Sequence, residues 1–397
     1  MPAGRDLLDA ARAIRGEIVA DRRAIHQQPE LAYQETETAA LVAQRLRDLG
    51  LSVRTGVGQT GVVGLLEGSR PGKTVLLRAD MDALPIEEVS DAPYASRNPG
   101  VMHACGHDGH TAMLLGVARL LAERREAIAG KIKFMFQPAE EGGFGAPKMI
   151  EAGLLDDPSV DAAFALHVQG SYRTGQIGIA AGAVTASSDR FTIMVNGRGG
   201  HASRPHEAVD PIVIAAQIVV ALQTLVSREV QAGEPAVVTV GSLEAGAAAN
   251  VIPDSARIRG TVRTYSVEVQ GWIERRIGEL AQGIARAMRG DAQTEYRRGY
   301  PPVVNHELGA ALVRRAAGEL LGSESVVSDV PRMGGEDFSY VLQRVPGAMF
   351  RLGVQHPSWS EPRNTHSSSF DLDEDALPIG TAVMAATALD YLTRYGS

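Results

Sequence analysis

Hydrophobic positions in the first half of the chain alternate between helical and strand spacing. Residues 6–27 and 36–49 repeat their apolar positions at helical spacing, and Gly50 follows the second stretch as a typical helix end. A further amphipathic helix is predicted from His110 to Ile128. Short apolar runs of strand length lie between these helices and are bounded by Gly, Pro and charged residues; they are GVVGLL, TVLLRADMD, IKFMFQPAEE and DAAFALHV. This alternation predicts an α/β fold with a mostly parallel sheet covered on both faces.

A second unit begins near Asp189. Its segments follow the order strand, helix, strand, strand, helix, strand; they are RFTIMVNG, DPIVIAAQIVVALQTLVSRE, AVVTVGSLEAG, SARIRGTVRTYS, VEVQGWIERRIGELAQGIARAM and AQTEYRRGY. This is the order of a ferredoxin-like α+β domain, in which two helices cover one face of a four-stranded antiparallel sheet. After Pro301 the first pattern resumes and ends in a helix near Tyr395. The sequence thus predicts a small domain at 187–300, inserted into a larger one formed by 1–186 and 301–397.

Composition narrows the class of protein. A chain of 397 residues exceeds what one hydrophobic core usually supports, which agrees with two domains. The formal net charge is -8 and no basic run is present, so no nucleic-acid partner is expected. No apolar run approaches the ~20 residues of a membrane span, and the amphipathic N-terminus is unlike a secretory signal. We therefore expect a cytoplasmic protein without a membrane partner.

Residues of the types that bind metals follow the predicted strands. The stretch MHACGHDGHTAM holds three histidines, an aspartate and the single cysteine of the chain. Because the carboxyl ends of parallel strands share one sheet edge, Cys105 and His107 are expected to meet the groups at the ends of three strands there. In extended backbone a Cys-x-His pair also presents both side chains on one side. The strand-end groups are Asp80 and Asp82, Glu140 and Glu141, and His167.

This mixture of groups predicts metal-assisted hydrolysis. A thiolate with imidazoles and carboxylates favours a transition metal over magnesium or calcium. The set exceeds the needs of one tetrahedral ion, and two ions about 3.5–4 Å apart can together polarise a carbonyl and activate a bridging water. Since neighbours in extended chain point to opposite sides, one carboxylate of the Glu140–Glu141 pair can hold metal while the other deprotonates the water.

Simpler interpretations of the same residues stay open at this point. A lone cysteine is often a buried apolar residue, and two histidines so close to Cys105 argue against that interpretation. Adjacent glutamates are commonly solvated, and His167 alone could be an ordinary core histidine. His103 and His110 are interpreted as residues at the helix entry or behind the ligands, not as ligands.

Eight motifs in fixed order carry a family resemblance over nearly the whole chain. They are ADMDALP, MHACGHDGHTAM, QPAEEG, ALHV, GGHASRPHEAVDPI, ANVIPDSARIRGTVR, GGEDF and NTHSSSFDLDEDAL. Together they resemble the metal-dependent aminoacylase and carboxypeptidase superfamily. Within it the chain is similar to the amidohydrolase branch, which contains hippurate hydrolases, N-acyl-amino-acid amidohydrolases and the plant indole-acetyl-amino-acid hydrolases.

The resemblance implies a catalytic domain with two divalent transition-metal ions and a smaller lid domain. Manganese or zinc are the expected ions, with nickel or cobalt as alternatives. The lid domain is expected to form a homodimer, with a tetramer as the alternative. Cys105 resembles the bridging ligand, and the residues that resemble the other ligands are His107, Glu141, His167 and His366.

The resemblance also implies roles in catalysis and substrate binding. Glu140 resembles the general base, in agreement with the argument from the paired carboxylates. His201 resembles the lid histidine that reaches the substrate carbonyl, often from the neighbouring subunit, and Asn250 a lid residue that contacts the substrate carboxylate or carbonyl. Many members of the superfamily begin the site with His-x-Asp, where this chain has Asp80-Met81-Asp82. Asp82 is therefore interpreted as a group that orients a ligand, and direct ligation by Asp80 remains an alternative.

The implied reaction is hydrolysis of the amide that joins an acyl group to an amino acid. A metal-bridging water would be the nucleophile and Glu140 the base. Alternatives are a metallo-carboxypeptidase or dipeptidase acting on small peptides and an N-acetyl-diaminopimelate-type deacetylase. A non-catalytic binding protein and a structural zinc protein with a closed four-ligand cage are the competing classes outside enzymes. The acyl group and amino acid are not defined, because scattered loops build the substrate pocket.

Overall fold

The computed structural model of the protein describes residues 3–396, which divide into two compact units. The first unit is formed by residues 3–182, 304–330 and 337–396, and the second by residues 183–303 and 331–336. The insertion predicted at 187–300 lies within the long segment of the second unit. The short segment 331–336 was not expected from the pattern, because it forms only an isolated bridge and no complete helix or strand.

Ten α-helices are present in the described part of the chain. In chain order they are α1 (Ala3–Ala13), α2 (Arg15–His26), α3 (Thr36–Asp48), α4 (His107–Ala122), α5 (Gly145–Glu151), α6 (Pro211–Thr224), α7 (Val267–Ala287), α8 (Glu307–Leu321), α9 (Ser339–Leu342) and α10 (Ala376–Tyr395).

Sixteen strands accompany these helices in the same described residues. They are β1 (Ser52–Val57), β2 (Gly61–Glu67), β3 (Arg70–Asp80), β4 (Ala129–Gln137), β5 (Ala162–Arg173), β6 (Ile177–Gly178), β7 (Gly182–Ala183), β8 (Asp189–Asn196), β9 (Gly200–His201), β10 (Ala236–Ala245), β11 (Val251–Ile252), β12 (Ser255–Thr264), β13 (Asp291–Arg297), β14 (Val304–Asn305), β15 (Val326–Val327) and β16 (Gly347–Gln355).

The first unit is built on an eight-stranded, mostly parallel sheet. Its strand order is β1-β2-β4-β3-β5-β16-β6-β15, and the central strands β4, β3, β5 and β16 run parallel. Every residue of β3 from Thr74 to Asp80 is buried, which requires cover on both faces of the sheet. Helices α4 and α10 pack on each other and against β3. The predicted α/β fold is confirmed, and the parallel strands place their carboxyl ends on one edge.

The second unit has a ferredoxin-like fold. Its four strands follow the order β10-β12-β8-β13, and every neighbouring pair is antiparallel. Helices α6 and α7 pack on each other and both contact β12, so they lie on one face of this sheet. The core between the helices and the sheet is apolar and includes Ile193, Ile218 and Ile277, all fully buried. The order predicted from the sequence is confirmed.

Two helix predictions need correction. The single helix predicted at 6–27 is broken at Ile14 into α1 and α2. Gly16 lies two residues later, and glycine in a helix interior is about 1 kcal/mol less favourable than alanine, which weakens the helix at this point. The helix predicted to begin near His110 begins at His107, because Gly106 adopts the left-handed conformation (φ 83°) and turns the chain directly into α4.

Two segments are long and apolar enough to cross a membrane, by length and composition only. They are Pro211–Glu229 and Ala376–Tyr395, with mean hydropathies of 1.6 and 1.2. The expectation that no apolar segment approaches this length is therefore wrong. Helices that belong to a packed core pass the same test, and 78% of the apolar window in Ala376–Tyr395 is buried within the protein.

Candidate metal centre

The site lies at the edge where β3 and β4 end. Asp80 is the last residue of β3, and Glu140 and Glu141 lie in the turn after β4. His167 lies inside β5, which continues to Arg173 along β16, so the prediction that this strand ends at the ALHV motif is wrong. Pairing of β5 with β3 stops at the Arg78–Ala165 pair, two residues before His167 on β5 and two residues before Asp80, the last residue of β3.

The five residues interpreted as ligands come together with Glu140. They form overlapping groups in which the possible ligand atoms all lie within 4.8 Å of one another. Cys105 belongs to two of these groups, which is the arrangement that a shared ligand requires. The groups are Cys105, His107 and His167; Cys105, Glu141 and His366; and His107, Glu140 and Glu141.

Individual distances define the centre of this cluster. Cys105 Sγ lies 3.5 Å from His167 Nε2, and His366 Nε2 lies 3.1 Å from Glu141 Oε1. The backbone N–H of His366 donates to the carbonyl of Ala104 at 2.7 Å, which brings this distant residue to the segment that carries Cys105. His366 adopts a left-handed backbone conformation with φ 63°. Its position therefore depends on contacts from outside its own segment, because a residue other than glycine is strained in that region.

Two imidazoles are oriented as metal ligands usually are. His107 Nδ1 donates to the carbonyl of Asp82 at 2.8 Å, and His167 Nδ1 donates to the carbonyl of Val168 at 2.7 Å. A carbonyl can only accept, so in each neutral ring Nε2 keeps its lone pair for the cluster. His107 Nε2 is buried and has no hydrogen-bond partner among residues 3–396. A buried imidazole acceptor beside a thiol and carboxylates is a donor set that fits divalent transition metals.

Protons on two groups of the cluster compete with a cation. Burial raises the pKa of the Cys105 thiol above its ordinary value, and the Glu141 carboxylate raises the pKa of this thiol further. The neighbouring Cys105 and Glu141 raise the pKa of His366 to about 10. Ligation needs a thiolate and a neutral imidazole, so a metal ion that binds here has to displace protons from these groups.

A turn, and not an extended strand, orients the paired glutamates. Ala139 has φ 53°, and the N–H of Gly142 donates to the carbonyl of Glu140 at 2.7 Å. The Asp82 carboxylate accepts the backbone N–H groups of Glu140 at 3.0 Å and Glu141 at 2.9 Å. The argument from strand alternation is therefore wrong for this pair. The similar argument for the Cys-x-His pair is also wrong, because Cys105 lies in a turn and His107 opens α4.

His110 and Asp80 already have partners within the protein. His110 Nδ1 donates to Asp80 Oδ1 at 2.5 Å, and His110 Nε2 accepts the N–H of Val168 at 3.0 Å. Asp80 Oδ2 accepts from Arg78 at 2.7 Å. These bonds favour a role behind the ligands over direct ligation for both residues.

His103 is buried, and its burial lowers its pKa to about 4, so this ring is neutral at physiological pH.

The second unit places His201 and Asn250 side by side. Strands β9 and β11 pair with His201 opposite Val251, and the N–H of Ala202 donates to the carbonyl of Asn250 at 3.1 Å. The backbone N–H of Ser203 donates to His201 Nδ1 at 3.1 Å. Nδ1 is thus an acceptor, and the neutral ring of this exposed histidine carries its proton on Nε2. Such a ring can donate a hydrogen bond to a carbonyl oxygen.

Similarity to known proteins identifies the family. Residues 76–390 match the sequence model of peptidase family M20/M25/M40. The chain belongs to this family. It is 41% identical over 361 residues to N-acetyl-L-cysteine deacetylase of Bacillus subtilis (strain 168), a match that covers 91% of this chain and 85% of that protein. It is also 41% identical over 378 residues to thermostable carboxypeptidase 2 of Saccharolobus solfataricus, covering 94% of this chain and 95% of the relative.

A solved structure of the M20 family matches the fold. The crystal structure of the Bacillus subtilis YXEP protein, described as a dinuclear metal-binding peptidase from the M20 family, superimposes with a TM-score of 0.86 at 34% identity. The match covers 96% of this chain and 99% of that one. The resemblance predicted from the motifs is confirmed, and so is the class of enzyme: this M20 protein is a metal-dependent hydrolase.

Several residues that support the site were not predicted. The Arg78 side chain donates to Gln137 at 2.8 Å, in addition to its ion pair with Asp80. The Glu35 carboxylate accepts the N–H of Ala139, next to Glu140, at 2.9 Å. The position of Arg78 in the sequence could have indicated its role, because a charged residue inside an apolar, buried strand requires polar partners. No sequence pattern indicated the role of Glu35, because its partner Ala139 lies far away in sequence.

Proposed function

We propose that this M20 hydrolase cleaves the amide bond of N-acyl amino acids to give a carboxylic acid and a free amino acid. The observation that carries the proposal is the convergence of a thiol, imidazoles and two carboxylates on one sheet edge. The similarity to a deacetylase of an N-acetyl amino acid supports this class of substrate. The proposed ligands are Cys105, shared between two ions, with His107, Glu141, His167 and His366. Two divalent ions, with manganese or zinc as the first candidates, polarise a scissile carbonyl and lower the pKa of water when bound.

Glu140 is the proposed general base. Its side chain is 7% exposed, and its ligand-type atom lies within 4.8 Å of those of His107 and Glu141. In this role Glu140 takes a proton from the attacking water and transfers it to the amide nitrogen as the carbon–nitrogen bond breaks. Asp82 supports this role by fixing the backbone of the turn through two hydrogen bonds.

His201 and Asn250 are the proposed substrate-binding residues of the second unit. The tautomer set by Ser203 makes His201 Nε2 a donor, as stabilisation of negative charge on the scissile oxygen requires. The Asn250 side chain supplies amide donors for the substrate carboxylate or carbonyl. The bond from His201 is made either within one chain or across a homodimer.

Carboxypeptidase activity is the second candidate, since a relative of equal identity is named a carboxypeptidase. On a panel of substrates we expect kcat/KM for N-acetyl amino acids to exceed that for free dipeptides by about tenfold or more. A dipeptide places a charged ammonium where the acyl group lies, and desolvation of an unpaired charge is costly. Released amino acid is measured for protein reconstituted with each metal in turn, and Glu140→Gln protein gives the background.

The panel, extended by a tetrapeptide and by acetylated diaminopimelate, separates the alternatives. Higher kcat/KM on free dipeptides would assign a dipeptidase, and progressive release of C-terminal residues from a tetrapeptide would assign a carboxypeptidase. Preference for acetylated diaminopimelate over the other N-acetyl amino acids would assign the corresponding deacetylase. Any of these results would replace the proposed N-acyl amino acid specificity.

A homodimer formed through the second unit is the proposed assembly. Strand β10 lies at the edge of its sheet, where backbone hydrogen-bonding groups are available for pairing. Exposed apolar side chains lie on β10 and on α6; they are Val237, Leu243, Ile212, Val213 and Val220. A second copy of the chain would cover both elements.

We also propose a cytoplasmic location, in which reducing conditions keep the Cys105 thiol available as a ligand.

Val220→Glu is expected to shift the protein from dimer to monomer. Val220 is 66% exposed on α6, and burial of a glutamate against a second copy costs several kcal/mol. Light scattering after size-exclusion chromatography measures the mass. Val267→Glu is the control, because Val267 is 53% exposed at the start of α7 and outside the proposed interface. Equal masses for wild type and Val220→Glu would contradict this interface.

A further inference from the structure

Arg22 on α2 is a buried cation with three carboxylate partners. Its side chain is fully buried in the first unit. Its guanidinium donates to Asp108 at 2.7 Å, to Asp371 at 3.1 Å and to Glu374 at 3.2 Å. A buried guanidinium is stable only when carboxylates balance its charge and its N–H groups have acceptors. The loss of any of these three bonds would therefore be costly.

The partners of Arg22 belong to two segments that carry proposed metal ligands. Asp108 directly follows His107 in the first turn of α4. Asp371 and Glu374 follow His366 in the loop that leads into α10. The two segments are far apart in sequence, and the Arg22 guanidinium donates to both of them. We call these bonds the Arg22 bridge.

We propose that Arg22 is a positioning residue that holds the His366 segment against the segment carrying Cys105 and His107. This inference rests on the proposed metal ligands and adds a residue that assembles them. The carboxylate partners of its hydrogen bonds within residues 3–396 are Asp108, Asp371 and Glu374, none of which is a proposed ligand. It acts through the carboxylates on either side.

Further contacts hold Asp108, the partner of Arg22 on the α4 side. His26 Nδ1 donates to Asp108 Oδ2 at 2.8 Å, the same oxygen that accepts from Arg22. On the other side of the ring, His26 Nε2 lies 3.3 Å from Glu88. The Tyr94 ring packs over the Arg22 guanidinium, with 4.6 Å from Cζ to the ring centroid. Asp108, at the start of α4, and Arg22 are therefore held by more than their mutual bond.

The His366 side depends more on the Arg22 bridge than the other proposed ligands do. His366 has a strained backbone and a side chain that is 52% exposed. Its N–H bond to Ala104 is a second tie to the Cys105 segment. His107 is buried, and the rings of His107 and His167 are each held by a backbone carbonyl. Loss of Arg22 should therefore weaken the group that contains His366 more than the group that contains His107 and His167.

Arg23 provides a matched control on the same helix. Arg23 also binds Glu374, with bonds of 2.8 and 2.6 Å, and its side chain is 43% exposed. It donates neither to Asp108 nor to Asp371 in the described residues. The two neighbours thus share one partner, and of these two arginines it is Arg22 that donates to both segments.

The test titrates chelator-treated, full-length protein with Mn²⁺ alone by isothermal titration calorimetry. Wild type and Arg23→Gln are expected to bind two ions per chain. Arg22→Gln is expected to bind one ion normally and the second about 10- to 100-fold more weakly, as is typical when a group behind a ligand is lost. Arg22→Lys should restore the unfolding temperature without restoring the second ion, because lysine lacks the fork that reaches both segments.

Asp371→Asn removes the charge of one of the two Arg22 partners on the His366 side, the other being Glu374, and it provides the test if Arg22→Gln does not fold. It is expected to show the same selective loss of one ion. Normal binding of both ions by Arg22→Gln or Asp371→Asn, equal weakening of both ions, or full recovery in Arg22→Lys would overturn the role of Arg22. A wild-type protein that binds no ion would instead overturn the proposed metal centre.

Discussion

Glu140→Gln is expected to lower kcat by roughly 10²–10⁴-fold, the usual contribution of a general base, while both metal ions stay bound. Glutamine keeps the size and the backbone bonds to Asp82 and removes only the group that accepts the proton. Turnover of an N-acetyl amino acid and the metal content of the same sample are measured together. The decisive pattern is a lost rate at unchanged metal content.

Glu141→Gln is the matched control for this prediction. It changes the neighbouring residue of the same turn, which lies with Cys105 and His366 in one group of ligand atoms. We expect this variant to lose metal along with rate. If Glu140→Gln retained wild-type turnover, the assignment of the base would be wrong, and loss of metal from Glu140→Gln would make this residue a ligand instead.

Cys105→Ser is expected to lose both metal ions and nearly all turnover. The sulfur belongs to two groups of ligand atoms, one with His107 and His167 and one with Glu141 and His366, so its loss affects both of these at once. A serine hydroxyl stays protonated near neutral pH and does not replace a thiolate. The fall in affinity should exceed the 10- to 100-fold typical of losing a group behind a ligand. Equilibrium dialysis with Zn²⁺ or Mn²⁺ measures the stoichiometry.

His366→Asn distinguishes a shared ligand from an ordinary one. It should remove one ion per chain, because His366 belongs to only one of the two groups with Cys105. An unfolding transition equal to that of wild type confirms that both variants are folded. Retention of two ions and full activity by Cys105→Ser would show that the sulfur does not bridge.

Local sequence patterns were sufficient to predict a helix or strand where its apolar residues repeat at one spacing throughout. The strands of the central sheet and the helices of the second unit were predicted because a buried strand or an amphipathic helix repeats its apolar residues regularly. The same patterns were misleading where one residue changes the backbone. Gly106 and Ala139 adopt positive φ, and each converts an expected extended segment into a turn at the site.

The sequence by itself determined the α/β class, the inserted ferredoxin-like unit and which candidate ligand types follow the strands, because these depend on regular spacing and on the shared edge of parallel strands. His366 was assigned through the family motif alone, since no local pattern connects it with Cys105. Only the tertiary structure decided which atoms meet: the bond from His366 to Ala104, and the Arg22 bridge from Asp108 to Asp371. The physical reason is that hydrogen bonds and ion pairs between distant segments leave no periodic signal in the chain.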